Sequence, residues 1–148
     1  MERNEANLGF DTIIGFEYVL VNGISSAIVE SDGRVKVTLK NGYTWNQIPF
    51  TVGTGIFTEK PEDSTGGNRV RQSFSITGLK DSFANTQEIN ELNSRRYAVR
   101  IRYKDGNLLV GEFNNGVKIN VERSNSKYRE IKISFDRLSR SSSRWEFI

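Results

Sequence analysis

Apolar and polar side chains alternate with a period of two through most of the chain. In the clearest segment, Tyr97 to Lys104, every second residue beginning with Tyr97 is aromatic or aliphatic. The residues between them are Ala98 and then three cations. Successive side chains of a β-strand point to opposite faces of the sheet, so this pattern predicts a strand with one buried face. The same alternation predicts four further strands: Arg34–Lys40, Arg69–Thr77, Val117–Arg123 and Lys127–Phe135. Weaker patterns predict four more: Ile13–Val21, Ile24–Glu30, Tyr43–Ile48 and Phe50–Thr58.

Turn-forming dipeptides separate these segments. Glycine, asparagine and aspartate accept the positive φ angles that tight hairpins and G1 bulges require. Four such dipeptides occur between the predicted strands: Asp32-Gly33, Asn41-Gly42, Asp105-Gly106 and Asn115-Gly116. The combination predicts antiparallel meanders packed as a sandwich or as a partly open barrel.

One segment departs from the strand pattern. Asn85 and Glu88 have the spacing of a capping box, and Ile89 and Leu92 follow at helical spacing. We therefore predict one short helix near residues 85–95. The expected class is mainly β, or β-rich α+β.

Two polar segments suggest the domain organisation. Residues 59–69 contain almost no apolar side chain and predict a polar loop inside a single β-rich domain of residues 1–135. Residues 136–148 form a C-terminal tail, in which a serine- and arginine-rich run precedes Trp145 and Phe147. This tail is expected either to dock on a partner or to form an edge segment of its own sheet.

Composition excludes several kinds of chemistry. A chain of 148 residues has the length of one domain. It contains no cysteine and no histidine, which excludes disulfides, Cys/His zinc sites and catalytic triads built on histidine. It also lacks a phosphate-binding loop, an EF-hand loop and any recognisable pair of catalytic carboxylates. We expect no enzymatic activity, no cofactor and no metal.

The chain also lacks membrane and export signals. No stretch approaches the ~20 consecutive apolar residues of a transmembrane helix. The first residues, Met1 to Glu5, are acidic where a signal peptide would be basic. We expect no membrane partner and a cytoplasmic location when the protein is synthesised.

Positive charge is concentrated in the second half. The net charge is +3, and residues 75–148 contain 14 of the 21 basic side chains but only 9 of the 18 acidic ones. Arg96, Arg100, Arg102 and Lys104 share one parity of the Tyr97–Lys104 pattern. Such a row could bind nucleic-acid phosphates or an acidic neighbouring subunit. Nucleic acid is the less favoured partner, because the tyrosines of this strand have the apolar parity and would not stack on bases.

Aromatic residues suggest a further binding hypothesis. Trp45 lies close to Tyr43 and Phe50, and Trp145 lies in the tail. Exposed rings of this kind can form a flat platform for sugars, whereas buried ones simply fill the core. Trp45 and Trp145 are therefore candidate binding residues.

The segment from Arg96 to Phe113 contains a basic-aliphatic strand, then Asp105-Gly106, then Leu108-Leu109 and a glycine. With a preceding strand and helix and a following strand, residues 70–136 resemble small tail or neck assembly proteins of phages and prophages of Bacteroidetes-type bacteria. The resemblance implies a non-enzymatic virion subunit that binds other assembly proteins and is homo-oligomeric once assembled. Its location would then be the virion. The alternative is a carbohydrate- or nucleic-acid-binding β-domain.

Overall fold

The computed structural model describes residues 11–80, 91–110, 115–124 and 130–146. Within these ranges the chain forms eleven strands. In chain order they are β1 (Ile13–Leu20), β2 (Ile24–Val29), β3 (Val35–Leu39), β4 (Asn46–Gln47), β5 (Ile56–Ser64), β6 (Gly67–Lys80), β7 (Tyr97–Tyr103), β8 (Gly106–Leu109), β9 (Asn120–Ser124), β10 (Glu130–Ser139) and β11 (Arg144–Trp145). A single 3-10 turn, Val21–Gly23, joins β1 to β2.

The strands form three antiparallel sheets. The largest has the order β11-β8-β7-β1-β4, the second has the order β5-β6-β10-β9, and β2 pairs with β3 alone. Among the described residues no sheet closes on itself, and the two large sheets are arranged as in the predicted sandwich. The predicted mainly-β, antiparallel class is confirmed as well.

The core lies between the two large sheets. The ring centroids of Phe16 on β1 and Phe74 on β6 are 4.7 Å apart, and Phe74 stacks in turn on Phe135 of β10 at 5.4 Å. Each such fully buried side chain contributes about 1.5–3 kcal/mol to stability. The alternation predicted these inward positions, and the four that define the second half of the chain are all buried: Val99, Ile101, Ile131 and Ile133.

The opposite face of the five-stranded sheet is also partly covered. Val19 and Ala98 are register partners on this face, and both are buried. β3 is tied to this side through Glu146, which forms a parallel backbone bridge with Val35 and an ion pair with Arg100.

The prediction of a polar loop at residues 59–69 was wrong. These residues form the outer end of a long hairpin in which β5 and β6 pair down to Ser64 and Gly67. The backbone ladder and an ion pair between Arg71 and Glu62 hold this part together. Its side chains are mostly exposed, so the apolar alternation that marks a strand in sequence is absent.

Other boundaries also shift. The predicted strand Tyr43–Ile48 shrinks to β4, and the one beginning at Val117 starts as β9 three residues later. Val117 instead forms an isolated bridge with Tyr97. The pattern did not predict β8 as a separate strand. Residues 127–129 of the predicted strand Lys127–Phe135 lie outside the described residues.

The predicted helix can be compared only at its end. Glu91 and Leu92 are helical, and residues 85–90 lie outside the described residues.

The tail boundary at residue 136 was also misplaced, because β10 continues to Ser139. Of the two alternatives for the tail, the structure has the edge segment: Arg144 and Trp145 pair with β8.

Candidate functional site

Arg100, in the middle of β7, is enclosed by three side chains. Its Nη2 donates to Glu17 at 3.0 Å and its Nη1 donates to Glu146 at 2.9 Å. Its guanidinium carbon lies 4.4 Å from the ring centroid of Trp45. The side chain is only 14% exposed. Carboxylates on two sides and an aromatic face leave this cation little surface for a ligand.

Two different elements bring the carboxylates to Arg100. Glu17 is its direct register partner on β1, so the β1–β7 pairing places the two side chains on one face. Glu146 arrives from the C-terminal segment, where its backbone N–H donates to the carbonyl of Asn107 at 2.8 Å. The same residue bridges to Val35 of β3. This cluster therefore joins β1, β7, the C-terminal segment and the hairpin β2–β3.

The predicted cationic row is therefore neutralised at its centre. Arg102, two positions along β7, also faces Glu17, with its Nε at 3.7 Å from the carboxylate. Together the two arginines and the carboxylates of Glu17 and Glu146 carry no net charge. Arg96 precedes β7 and Lys104 follows it, and both are exposed. The row does not form one uniform surface of positive charge.

The two tryptophans have separate environments. Trp45 is half-buried beneath the guanidinium of Arg100, so its ring does not form an open platform. Trp145 packs edge-on against Tyr103, with ring centroids 5.8 Å apart, and remains partly exposed. Burial raises the pKa of the Tyr103 hydroxyl above its ordinary value, and the carboxylate of Asp105 adds to this. The structure brings Trp45 to Arg100 but places Trp145 elsewhere on the sheet.

A polar cleft that the sequence did not predict lies beside Tyr43. The cleft has a volume of about 540 Å³ and is lined from β1, the loop before β4, β4 itself, the residues before β7 and the first residue of β7. Among its lining residues are Tyr18, Tyr43, Asn46, Glu91, Arg95 and Tyr97. Tyrosine rings, one amide and an opposite pair of charges make this surface suited to a neutral polar ligand.

Glycine at position 23 determines how Tyr43 lies in this cleft. A Cβ atom built on Gly23 would stand 2.3 Å from Cδ1 of Tyr43, so the ring lies directly against the glycine backbone. Tyr43 as a residue is still 38% exposed. A flat aromatic surface is thereby held in place without being buried.

Tyr97 forms the inner wall of the cleft. Its hydroxyl donates to the carbonyl oxygen of Glu91 at 3.0 Å, and its ring meets Tyr18 edge-on. Burial raises the pKa of the Tyr97 hydroxyl, and the Glu91 carboxylate adds to the effect. The hydroxyl is therefore neutral at physiological pH.

Several large apolar side chains are exposed at the margins of the sheets. The exposed set is Ile28 and Val29 on β2, Val52 in the loop before β5, Ile56 on β5, Leu138 on β10 and Trp145 on β11. Single exposed apolar residues are common on protein surfaces. Ile28 and Val29 are consecutive on an edge strand, so their exposed side chains lie on opposite faces of the hairpin β2–β3 and are both available to a neighbouring strand.

The described residues contain no candidate metal site and no helix that could span a membrane. In the described parts of the chain, no group of three or more acidic side chains is arranged to hold a metal ion. No helix within those parts is long and apolar enough to span a membrane.

Comparison with known proteins gives no relative. No protein-family model, curated protein or solved structure matches the chain.

Proposed function

We propose that this chain is a non-enzymatic structural subunit of a phage-like tail or related virion complex and that it acts through protein–protein contacts. The observation that carries the proposal is the apolar surface at the sheet edges. Ile28 and Val29 are 57% and 53% exposed, although both are branched aliphatic residues on a strand. Burying such side chains against a neighbour contributes the main favourable term in association.

The long hairpin β5–β6 supports an assembly role. Its outer end is polar on both faces, and the hydrogen-bonded pair of Arg71 and Glu62 stiffens it, with Nε–Oε2 and Nη2–Oε1 distances of 2.9 and 3.2 Å. The hydrogen bond from Arg71 lowers the pKa of the Glu62 carboxyl, so the pair stays charged well below neutral pH. A stiff polar arm of this kind is suited to contact the next subunit without collapsing on its own domain.

The charge distribution disfavours nucleic acid as the main partner. Arg100 is neutralised by Glu17 and Glu146, and Arg71 pairs with both Glu62 and Asp136. Phosphate binding depends on cations that release counterions when they meet the backbone, and paired arginines contribute little of this.

The proposal is tested by the composition of native particles. Virion particles from cultures that produce this chain would be banded on a density gradient and analysed by quantitative mass spectrometry. We expect the chain to band with the particles at a fixed number of copies per particle. Its absence from intact particles would contradict the proposal.

A DNA-binding measurement tests the nucleic-acid alternative. A binding constant that falls steeply with salt would favour nucleic acid, provided that Arg102→Ala and Lys104→Ala reduce the slope.

A second candidate function, carbohydrate binding, is favoured by the cleft beside Tyr43. Sugars pack on exposed aromatic faces and hydrogen-bond to amides and charged side chains, all of which line this cleft. The candidate residue is Tyr43 and not Trp45, because the Trp45 ring is covered by Arg100.

A glycan array with two matched variants tests this candidate. Tyr43 and Val52 have nearly equal exposure, 38% and 39%. If the cleft binds sugars, Tyr43→Ala reduces the array signal at least about tenfold, equivalent to the loss of one good contact. Val52→Ala leaves the signal unchanged. No array signal from the intact chain, or equal effects of the two variants, would exclude the cleft as a sugar site.

A further inference from the structure

β2 presents an unprotected edge. It pairs with β3 on one side, and within the described residues no strand pairs with its other side. From Ile24 to Val29 it contains no charged residue and no proline. The N–H and C=O groups of such an edge can pair with another strand, and nothing in its sequence opposes that pairing.

The other sheet edges in the described part of the chain are guarded. β5 contains Pro61 and four charged residues, and β9 contains Glu122 and Arg123. β4 and β11 are two residues long, and β3 contains Lys36 and bridges to Glu146 on its outer side. Charges, prolines and short length are the usual means by which proteins prevent edge-to-edge pairing. Only β2 combines useful length with none of these protections, apart from a bulge at its first residues.

The strand is complementary to a second copy of itself in antiparallel orientation. One face of the hairpin carries Ala27 and Val29 opposite Val37 and Val35, so it is entirely apolar. Pairing by a two-fold axis perpendicular to the sheet keeps this face on the same side in both copies. The apolar stripe would then continue across four strands, and Val29 of each copy would lie beside Ala27 of the other.

Charges at the two ends of the strand favour the same orientation. Glu30 follows β2 at one end. Lys40 lies at the other end, where its N–H donates to the carbonyl of Gly23 at 2.8 Å. Antiparallel pairing brings the acidic end of one copy toward the basic end of the other, and parallel pairing would place like ends together.

We propose that β2 is a homotypic interface, at which two copies of this chain pair antiparallel through β2 and form a continuous four-stranded sheet, β3-β2-β2-β3. A register centred on Ile28 joins the regular part of the strand and avoids the bulge near Ser25. Ile28 of one copy then faces Ile28 of the other. This inference rests on the proposed assembly role and names one of its contacts.

A single introduced cysteine tests the register. The chain has no cysteine, so Ile28→Cys would carry the only thiol. Directly opposed residues of an antiparallel pair have Cα atoms about 4.5–5.5 Å apart, which matches disulfide geometry. We expect Ile28→Cys to form a covalent dimer under mild oxidation. Ile56→Cys, at an aliphatic strand position outside β2 with similar exposure, 62% against 57%, should stay largely monomeric on the same gel. Equal cross-linking of the two variants would overturn the proposal.

Charge variants test the contact independently. Ile28→Lys places two lysines opposite each other, each beside Lys36 of its own hairpin, and should weaken dimerisation at least about tenfold. Ile28→Glu places two carboxylates opposite each other, but each lies beside Lys36, so it should weaken dimerisation less. A mixture of the two should regain the dimer as a heterodimer in native mass spectrometry. Thermal unfolding of each variant alone confirms folding. A wild-type chain that is monomeric in sedimentation equilibrium at its highest soluble concentration, or charge variants that dimerise as well as wild type, would overturn the proposal.

Failure of this interface and failure of the virion role give different results. If native particles contain the chain but incorporate Ile28→Lys at the wild-type level, the proposed pairing between two copies of β2 is contradicted and the assembly role stands. If the charge variants show complementation but particles lack the chain, the β2 dimer stands and the virion role is wrong.

Discussion

At the scale of single residues, Arg100 pairs with two carboxylates while its side chain is only 14% exposed. Replacing it with alanine would leave Glu146 without this ion pair and Glu17 with only the more distant Arg102, although both carboxylates are largely buried. Removal of one partner from a buried ion pair lowers the free energy of unfolding by about 3–5 kcal/mol. We expect the loss for Arg100→Ala to lie near the lower end of this range, because the cluster is not fully enclosed. Urea unfolding measures the loss.

Arg102→Ala is the matched control for Arg100→Ala. Arg102 is on the same strand and faces the same Glu17, but at 3.7 Å and with much greater exposure. Ion pairs of this kind contribute about 0–1 kcal/mol, so the free energy of unfolding of the variant should be close to that of wild type. Equal losses in the two variants would mean that Arg100 acts through general strand packing and not through its carboxylates.

The raised pKa of Tyr97 predicts that the folded protein loses stability at alkaline pH. The pKa of Tyr97 is raised above the ordinary value of 10.0, first by burial and then by the Glu91 carboxylate. The unfolded chain therefore loses this proton at a lower pH than the folded chain. The stabilising contribution is complete below pH 10 and is lost as pH rises through the folded-state pKa. Burial shifts the pKa of Tyr103 in the same direction.

The variant Tyr97→Phe separates this effect from the rest of the fold. It should lose about 1 kcal/mol at neutral pH, because the hydrogen bond to the Glu91 carbonyl is removed. Above about pH 10 its free energy of unfolding should fall less steeply with pH than that of wild type. Unfolding curves at several alkaline pH values measure both quantities. Parallel pH profiles for the two proteins would show that Tyr97 does not control the loss of stability at alkaline pH.

At the scale of elements, the hairpin β5–β6 depends on one glycine at its turn. Gly67 has a φ of 103°, which L-residues adopt only with strain, although its surroundings leave room for a side chain. Gly67→Ala should therefore cost about 1–2 kcal/mol. Gly67→Asn should cost less, because asparagine tolerates positive φ better. Thermal unfolding compares the two variants, and an alanine variant as stable as the asparagine variant would count against backbone strain as the cause.

The alternation predicted some elements well because one face of each is buried. Val99 and Ile101 on β7, and Ile131 and Ile133 on β10, had to share a parity to reach the core. The outer end of β5–β6 lacks this requirement, since solvent meets both of its faces. Its strands are held by backbone pairing and by Arg71 with Glu62, which leave no periodic trace in the sequence.

Gln72 illustrates a second limit of the pattern. In the sequence it interrupts the apolar parity of β6, and in the structure it is fully buried. Its side-chain amide donates to Glu59 at 2.9 Å and to Ser143 at 3.1 Å. Ser143 lies 71 residues away in sequence, so neither spacing nor composition could indicate that this amide would find a partner.

At the scale of the whole molecule, Glu146 holds separate sheets together. It joins β8, β3 and Arg100 through a hydrogen bond, a backbone bridge and an ion pair. Glu146→Gln should therefore loosen the hairpin β2–β3 and β11 before it affects the main core. Amide hydrogen exchange resolved by segment should show reduced protection there, with β6 and β10 unchanged. Uniform loss of protection across all strands would contradict this local role.

The candidate site was predictable in part at this scale. The sequence placed Arg100, Arg102 and Lys104 on one face of one strand, and that placement follows from the side-chain period alone. It could not predict that Arg100 would meet Glu17 and Glu146, which are 83 and 46 residues distant. The cleft beside Tyr43 was missed for the same reason, because it depends on the packing of a ring against Gly23.

The position of Glu146 also sets an order of events during synthesis. A ribosome releases Glu17 and Arg100 long before Glu146, so the first two can pair while the chain is still growing. Until the last strand emerges, the guanidinium has one carboxylate and the hairpin β2–β3 lacks its parallel neighbour. The core strand β10 emerges only shortly before Glu146, so the hairpin β2–β3 gains its bridge and the guanidinium gains its second carboxylate at the end of this sequence of events. We expect a copy that is cut short before Glu146 to lack both contacts and to hold β2–β3 less firmly.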